Sequence, residues 1–295
     1  MALRFSKMHG AGNDFVILDL RGGKPAPSLD TVRAMGDRHR GVGFDQLLSV
    51  EDSQRPGCVA IYRIWNSDGS QAEQCGNGAR CVAAWIVRAG IASGPRFTLD
   101  SPAGPIDVDC LDDGRFALDM GRPAFDPAVI PLALAGEALV YETRLDPDDD
   151  DDADADDSAS DSDSDENAIR FGAASMGNPH AVIEVASVDD AAVERIGRAL
   201  QASPLFPASV NVGFAQVVDA KHIRLRVYER GAGETLACGS GACAAVAVLA
   251  RQGRVGQHVE VDLPGGRLSI DWPSRDASIR MAGPATFVFE AQWLD

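Results

Sequence analysis

The chain has 295 residues, of which 45% are apolar, and its 44 acidic and 27 basic side chains give a formal net charge of −17. Thirteen of the acidic residues lie within residues 146–166, which contain no lysine or arginine, so the remaining 31 acidic and 27 basic side chains nearly balance. The chain is long enough to bury a core, and it has no basic stripe of the kind that binds phosphates, which argues against nucleic acid as a partner.

The first fifteen residues lack the apolar segment of an export signal, and no run approaches the ~18 apolar residues that span a membrane. We therefore expect a cytoplasmic protein with no membrane partner. Thiols stay reduced in that compartment, so the cysteines are expected to be free thiols, metal ligands or catalytic groups. There are six: Cys58, Cys75, Cys81, Cys110, Cys238 and Cys243.

The first half of the chain combines strand and turn signals with two helical patterns. Residues 9–14 (HGAGND) predict a glycine-rich turn, and residues 29–37 predict a short helix. From Gly78 apolar residues recur at helical spacing, with Gly90 as the expected stop. Strands are predicted at residues 5–8, 15–20, 44–48, 59–65, 97–100, 106–109 and 116–120.

The second half of the chain repeats segments of the first half in the same order. The matched pairs are 12–17 with 177–183, 43–48 with 213–218, 65–80 with 228–242, and 99–108 with 261–270. Four matches at similar offsets indicate a duplication, so we predict an α/β (α+β) fold of two pseudo-symmetric lobes of mixed sheet. The lobes are expected at residues 1–121 and 122–283, with residues 284–295 returning to the first lobe.

The acidic run at residues 146–167 is too polar to order itself by burying apolar surface. Aspartate alternating with serine also suggests a calcium-binding tract, but the run lacks the spaced glycine and final glutamate of a calcium loop. We interpret the run as a solvated, disordered insertion between two strands of the second lobe.

Cys75 and Cys238 each stand at the start of a predicted helix and are followed by glycines. The free N–H groups and dipole of a helix N-terminus favour an anion, so we expect them to lower the thiol pKa from ~8.5 toward ~7. The same N–H groups are suited to hold a substrate carboxylate. A thiolate on one face of a bound carbon and a thiol on the other are what inversion of configuration requires.

Cofactor motifs are absent from the sequence, which has no dinucleotide fingerprint, P-loop or evident lysine site for pyridoxal phosphate. We therefore expect chemistry without a cofactor. Zinc ligation by Cys75 with Cys81, and by Cys238 with Cys243, is an alternative, but the spacings are wider than those of structural zinc pairs. Cys81 and Cys243 are expected to pack in the core. A disulfide between Cys75 and Cys238 is a second alternative, as an oxidised resting form.

Four motifs extend this pattern along the chain: KMHGxGNDF at 7–15, NxDGSx4CGNGxR at 66–80, MGNPH at 176–180 and ERGxGx4CGxG at 229–241. Together they resemble the diaminopimelate epimerase family from residue 5 to the C-terminus, apart from the acidic run. The resemblance implies a homodimeric, cofactor-independent isomerase that interconverts LL- and meso-2,6-diaminopimelate in lysine and peptidoglycan precursor synthesis. It also implies two pseudo-symmetric lobes around a central helix, with the active site in the interlobe cleft and no metal.

The resemblance further implies roles for individual residues. Cys75 and Cys238 match the two catalytic bases, and His180 and Glu229 match positions that support the chemistry. The positions that match substrate contacts are Asn13, Gln46, Asn66, Gly76, Asn77, Asn178, Asn211, Glu229, Arg230, Gly239 and Ser240.

Physical chemistry agrees with part of this assignment. The forked guanidinium of Arg230 suits a distal carboxylate, and Glu229 suits an ammonium group. Turn formation is an alternative role for Asn13, Asn178 and Asn211, and His180 is equally consistent with a structural role.

Two other functions remain open from the sequence. The first is a proline or hydroxyproline racemase-like enzyme of the same fold, which would use the same pair of cysteines. The motif at residue 66 and the pair Glu229–Arg230 favour an acyclic diamino substrate over a cyclic imino acid. The second is a non-catalytic amino-acid-binding protein with a thiol switch, which would not need duplicated cysteine–helix units.

Overall fold

The computed structural model describes residues 3–72, 75–145 and 168–294, so the predicted acidic insertion at 146–167 lies outside the described residues. The helices are α1 Leu29–Gly36, α2 Gly76–Arg88, α3 Val193–Ala202 and α4 Gly239–Arg251. The strands of the first half are β1 Leu3–Gly10, β2 Asn13–Asp19, β3 Gln46–Glu51, β4 Cys58–Asn66, β5 Gln71–Ala72, β6 Arg96–Asp100, β7 Ile106–Cys110 and β8 Phe116–Asp119. Those of the second half are β9 Tyr141–Arg144, β10 Ala168–Ser175, β11 Pro179–Glu184, β12 Asn211–Asp219, β13 His222–Glu229, β14 Gly233–Thr235, β15 His258–Leu263, β16 Gly266–Asp271, β17 Arg280–Gly283 and β18 Thr286–Trp293.

The strand pairing repeats between the two halves. In the first half β1–β2 is antiparallel, β2–β3 parallel, β3–β4 antiparallel, β4–β6 parallel, and β6–β7–β8 antiparallel. The second half has the same sequence of orientations, in the pairs β10–β11, β11–β12, β12–β13, β13–β15 and β15–β16–β17. The predicted α/β (α+β) fold with two similar units of mixed sheet is therefore confirmed. The exact lobe boundary at residue 121 stays a prediction.

Two pairings connect the halves and return the chain to its start. β8 pairs with β17 in antiparallel orientation, and β18 pairs with β1. One of the predicted sequence matches is out of register, because His180 pairs with Asn211 on β12 as Phe15 pairs with Gln46 on β3. The structural counterpart of Gln46 is therefore Asn211, and the match of 43–48 with 213–218 is wrong by five residues.

The helices α2 and α4 are the buried elements of the two halves. Helix α4 has small and apolar residues on nearly all sides, a pattern typical of an enclosed helix. It packs against β10, β11 and β12, while α2 packs against β1, β2 and β8. Cys81 and Cys243 are fully buried within these helices, as predicted. Among the described residues, no helix is both long and apolar enough to cross a membrane.

Local structure departs from the sequence prediction in two places. The predicted turn at residues 9–14 is mostly strand, because Ala11 (φ 52°) and Gly12 (φ 84°) alone make the turn between β1 and β2. The predicted helix start at Cys75 is confirmed, because Cys75 is the N-cap of α2, which begins at Gly76. Helix α3 was not predicted.

The contact between α4 and β10 leaves no room for a side chain at Gly172, where an added Cβ would lie 2.3 Å from Val248 Cγ1. Gly172→Ala should therefore lower the free energy of unfolding by about 1–3 kcal/mol through overpacking. Urea denaturation measures this change. The matched control is Gly94→Ala in an exposed loop, where the nearest atom to an added Cβ is 3.6 Å away. Equal stabilities of the two variants would contradict the prediction.

Candidate active site

A cleft of about 1850 Å³ contains the first residues of both α2 and α4. Most of the residues predicted as site residues line this cleft. They are Asn13, Gln46, Asn66, Cys75, Gly76, Asn77, Asn178, Glu229, Arg230, Cys238, Gly239 and Ser240. The other two, His180 and Asn211, are 1% and 3% exposed and lie behind the lining.

Cys75 is the N-cap of α2 and is partly buried. Its Sγ accepts a hydrogen bond from the backbone N–H of Gly78 at 3.3 Å, and its S–H donates to Asn13 Oδ1 at 3.6 Å. The thiol therefore joins the start of α2 to the β1–β2 hairpin. From this position Cys75 lines the cleft.

Cys238 occupies the same position on α4, but it makes no side-chain cap hydrogen bond to the helix. It is 4% exposed, and its Sγ lies 3.6 Å from Ser240 Oγ. Both Cys75 and Cys238 are free thiols. The two helices thus present one thiol each to a single cleft.

The expected lowering of the thiol pKa at the helix N-termini is wrong for this structure. Burial, opposed by the N–H of Gly78 and reinforced by the negative charge of Glu229, raises the pKa of Cys75 to about 11. Burial likewise raises the pKa of Cys238 well above its usual value, and Glu229 again adds to the effect. Desolvation of the thiolate outweighs the helix N-terminus at both sites.

Glu229 ends β13 and acts electrostatically on both cysteines. Its carboxylate accepts a hydrogen bond from the hydroxyl of Thr235 on the neighbouring strand β14. The next residue, Arg230, is exposed at the cleft, and its guanidinium donates to the backbone oxygen of Ala208 at 2.9 Å. Its backbone N–H donates to Asn211 Oδ1 at 3.0 Å, so Asn211 fixes this corner from behind the cleft.

His180 also acts from behind the cleft, through Asn178. Its Nε2 lies 3.0 Å from Asn178 Oδ1, and an amide oxygen can only accept, so Nε2 carries the proton of this hydrogen bond. The Asn178 amide then donates to Ser240 Oγ at 3.4 Å, in the first turn of α4. The structure therefore links His180 to the cysteine helix by two hydrogen bonds.

A charged network fixes the Asn13 corner of the cleft. Arg38 donates to Asp14 and to Asp45 at 2.7 Å, and the Asn13 amide donates to Asp45 at 2.6 Å. Burial opposes ionisation of Asp14, but the hydrogen bonds and charges of Arg38 and Lys7 lower its pKa to about 2. Asn13 is thus tied to Asp45, which shares Arg38 with Asp14, and its Oδ1 stays directed at Cys75.

Gln46 and Asn66 lie side by side on the paired strands β3 and β4. The Gln46 amide donates to Asn66 Oδ1 at 3.0 Å, and the Asn66 amide donates to Ser70 Oγ at 2.9 Å. Gln46 Oε1 is buried and has no hydrogen-bond partner in the described part of the chain. A buried acceptor without a partner is uncommon in proteins, and this one belongs to a residue that lines the cleft.

Three residues that shape the cleft were not predicted as site residues. Thr235 and Arg80 stand within the motifs that carry the family resemblance, so a signal for them was present. Met281 on β17 touches both helix starts. A Cβ added at Gly76 would lie 2.7 Å from Met281 Cε, and a Cβ added at Gly239 would lie 3.0 Å from Met281 Sδ. No sequence motif marks Met281, whose role arises from the sheet topology. In the described ranges, no group of three or more His, Cys, Asp and Glu side chains is arranged to hold a metal ion.

The motifs, the duplicated topology and the paired cysteines agree with the comparison to known families. The family model of diaminopimelate epimerase matches residues 5–125 and 172–288. The chain belongs to the diaminopimelate epimerase family. It is therefore an isomerase of the racemase and epimerase class.

Individual members and fold neighbours agree with this assignment. A diaminopimelate epimerase from Xanthomonas axonopodis pv. citri (strain 306) is 55% identical over 291 residues, which cover 99% of this chain and 96% of that protein. An O-ureido-serine racemase from Streptomyces lavendulae is 54% identical over 293 residues, with the same coverage of each protein. The structure of a hydroxyproline epimerase from Agrobacterium vitis is similar in fold alone, with a TM-score of 0.62 and 17% identity over 99% of this chain and 92% of that one.

Burial of His180 predicts a pH dependence of stability in this family member. Burial, with a contribution from the positive charge of Arg230, lowers the pKa of His180 from 6.5 to about 3. Below pH 6.5 the unfolded chain binds a proton that the folded protein does not, so stability should fall as the pH drops, by up to ~1.4 kcal/mol per pH unit. His180→Gln should remove this contribution, measured by urea denaturation between pH ~7 and ~5.

The control for this experiment is His39→Gln, because His39 is an exposed histidine outside the cleft. It should keep the pH dependence of the wild-type protein. Equal pH slopes for His180→Gln and the wild type would show that His180 takes up its proton without unfolding, contrary to the prediction.

Proposed function

We propose that the protein interconverts LL- and meso-2,6-diaminopimelate by moving a proton at one α-carbon between Cys75 and Cys238, without a cofactor. The observation that carries this proposal is the placement of both cysteines at the N-termini of α2 and α4 in one cleft. Family membership supports the choice of substrate. One thiolate takes the α-proton from one face, and the opposite thiol delivers a proton to the other face.

The main chemical difficulty is the negative charge that develops on the substrate when its α-proton leaves. The first residues of α2 (Gly76 and Asn77) and of α4 (Gly239 and Ser240) have backbone N–H groups without intrahelical partners. These groups are suited to hold the α-carboxylate and to stabilise the developing charge in a desolvated site. The absence of side chains at the two glycines lets the substrate approach the backbone.

Substrate charge also bears on the high pKa of the two thiols. Glu229 raises the pKa of both cysteines through its negative charge. An α-ammonium group beside Glu229 would offset the negative charge of Glu229. Both thiol pKa values would then fall, because a nearby positive charge favours a thiolate. Binding of the amino acid is thus proposed to activate its own base.

The distal end of diaminopimelate carries its own ammonium and carboxylate groups. We propose that Arg230 binds the distal carboxylate, because its guanidinium is exposed at the cleft and is engaged only by the backbone oxygen of Ala208 among the residues described. Asn66 and Gln46, on the other half, offer amide groups. The cytoplasmic location expected from the sequence and the homodimer implied by the family resemblance stay predictions.

The reaction itself is tested with LL-2,6-diaminopimelate in deuterated buffer containing a reducing agent. We expect formation of the meso isomer and incorporation of one solvent deuterium at the inverted α-carbon. NMR and mass spectrometry measure both changes. O-ureidoserine serves as the counter-substrate, because a racemase that acts on a serine derivative is comparably similar to this chain. Turnover of O-ureidoserine with neither isomerisation nor exchange of diaminopimelate would overturn the proposal.

The two-base assignment predicts the behaviour of two single variants. Cys75→Ala and Cys238→Ala should each lower the rate of inversion by at least ~10³-fold, because a positioned acid or base contributes about 10²–10⁴-fold and neither face can replace the other. The matched control, Cys110→Ala, removes a partly exposed thiol outside the cleft and should retain full activity. A single cleft variant that still inverts its substrate would refute the mechanism.

A further inference from the structure

Arg80 is a fully buried arginine within α2, and its side chain has unusual partners. Its guanidinium donates to Asn77 Oδ1 at 2.6 Å, to the backbone oxygen of Pro284 at 3.4 Å and to Met281 Sδ at 3.7 Å. Within residues 3–72, 75–145 and 168–294 it forms no ion pair with a carboxylate. Buried charges are normally paired, so a guanidinium held only by neutral groups requires a reason.

The protein is built closely around this guanidinium. An added Cβ at Gly283 would lie 3.0 Å from Arg80 Nε, and one at Gly10 would lie 3.5 Å from its terminal nitrogen. Gly10 ends β1 and Gly283 ends β17, so strands from both halves of the chain enclose the group. The side chain is therefore fixed in one position between the halves.

Asn77 transmits this position to both cysteines. Because its Oδ1 is bound by Arg80, its amide nitrogen is directed at the Ala237 backbone oxygen at 3.1 Å and at Asn13 Oδ1 at 3.4 Å. Ala237 immediately precedes Cys238, while Asn13 accepts the hydrogen bond of Cys75. One arginine thus orients an amide that contacts the surroundings of each thiol.

The positive charge of Arg80 acts on only one of the two cleft thiols, although its hydrogen bonds reach the surroundings of both. Cys75 faces Glu229, which raises its pKa, Arg80, which lowers it, and the Tyr62 phenol of β4. The pKa of Cys238 is set by burial, by the negative charge of Glu229 and by contacts with Ser240, with the Glu229 side chain and with the backbone of Gly241. The other titratable groups around Arg80 are the core thiols Cys81 and Cys243. Of the two cleft thiols, Cys75 is the one that Arg80 serves electrostatically.

We propose that Arg80 is a positioning residue that holds the two cysteine helices in register through Asn77 and supplies a buried countercharge to the thiolate of Cys75 but not of Cys238. This inference rests on the proposed function for its consequence in catalysis. Its physical content does not depend on the substrate. The two halves of the site are then unequal in charge as well as in sequence.

The test compares the reactivity of the two thiols with iodoacetamide across the pH range, by mass spectrometry of the peptides that contain Cys75 and Cys238. In Arg80→Met the alkylation of Cys75 at a given pH should slow by about tenfold or more, since one pKa unit changes the thiolate fraction tenfold. The rate at Cys238 should stay within about threefold of the wild type. No substrate is present, so this result is independent of the proposed reaction.

The matched control is Arg251→Met, which removes a positive charge from the far end of α4 where Arg251 pairs with Glu137 at 2.6 Å. It should leave both alkylation rates unchanged. An unchanged rate at Cys75 in Arg80→Met, or equal slowing at both cysteines, would overturn the assignment of a selective countercharge.

Arg80→Lys keeps the proposal testable if Arg80→Met does not fold. Lysine retains the charge but lacks the fork that binds Asn77. Alkylation of Cys75 should therefore stay within about threefold of the wild type, while kcat for epimerisation falls at least about tenfold with a smaller change in KM. A wild-type kcat in Arg80→Lys would show that the orientation of Asn77 does not depend on Arg80.

Discussion

The N-termini of α2 and α4 meet over the side chain of Met281, and the geometry of the cleft depends on this contact. Met281 Cε lies 2.7 Å from the site of an added Cβ at Gly76, and its Sδ lies 3.0 Å from that at Gly239. A side chain at either glycine would push a helix away from the methionine. The residue after each cysteine therefore serves two purposes, because the same glycine that exposes backbone N–H groups also permits the helices to approach.

This close approach has an electrostatic cost, because Cys238 is buried and Cys75 is partly buried. Burial and Glu229 keep Cys75 and Cys238 protonated in the structure as described, so the site is not set permanently for proton abstraction. A thiolate that forms when an amino acid brings its ammonium group to Glu229 is less exposed to side reactions than one present at all times. Arg80 opposes the effect of Glu229 on the pKa of Cys75, so the two cysteines do not start from equal electrostatic conditions.

The fold was predictable from the sequence where local and repeated signals agreed. Cysteine followed by glycines placed both helix starts, and the repeat predicted two similar units. The strand register was not predictable from residue likeness, since GFAQ resembles GFDQ although Gln46 corresponds in space to Asn211. The thiol pKa was predicted in the wrong direction, because a helix N-terminus is visible in sequence whereas burial is set by packing between distant segments. The role of Met281 is hidden for the same reason.

Comparison of equivalent positions shows where the two halves of the duplicated fold differ around the cleft. Phe15, Gln46 and Asn66 in the first half stand where His180, Asn211 and Glu229 stand in the second. The first set is neutral, while the second contains the carboxylate that faces both cysteines. Inversion at one α-carbon requires an equivalent proton carrier from each half of the fold. Recognition of the distal end of a substrate instead requires residues that differ between the two halves. The duplication retained the cysteines and glycines at the helix starts, and it diverged on the strands that surround them.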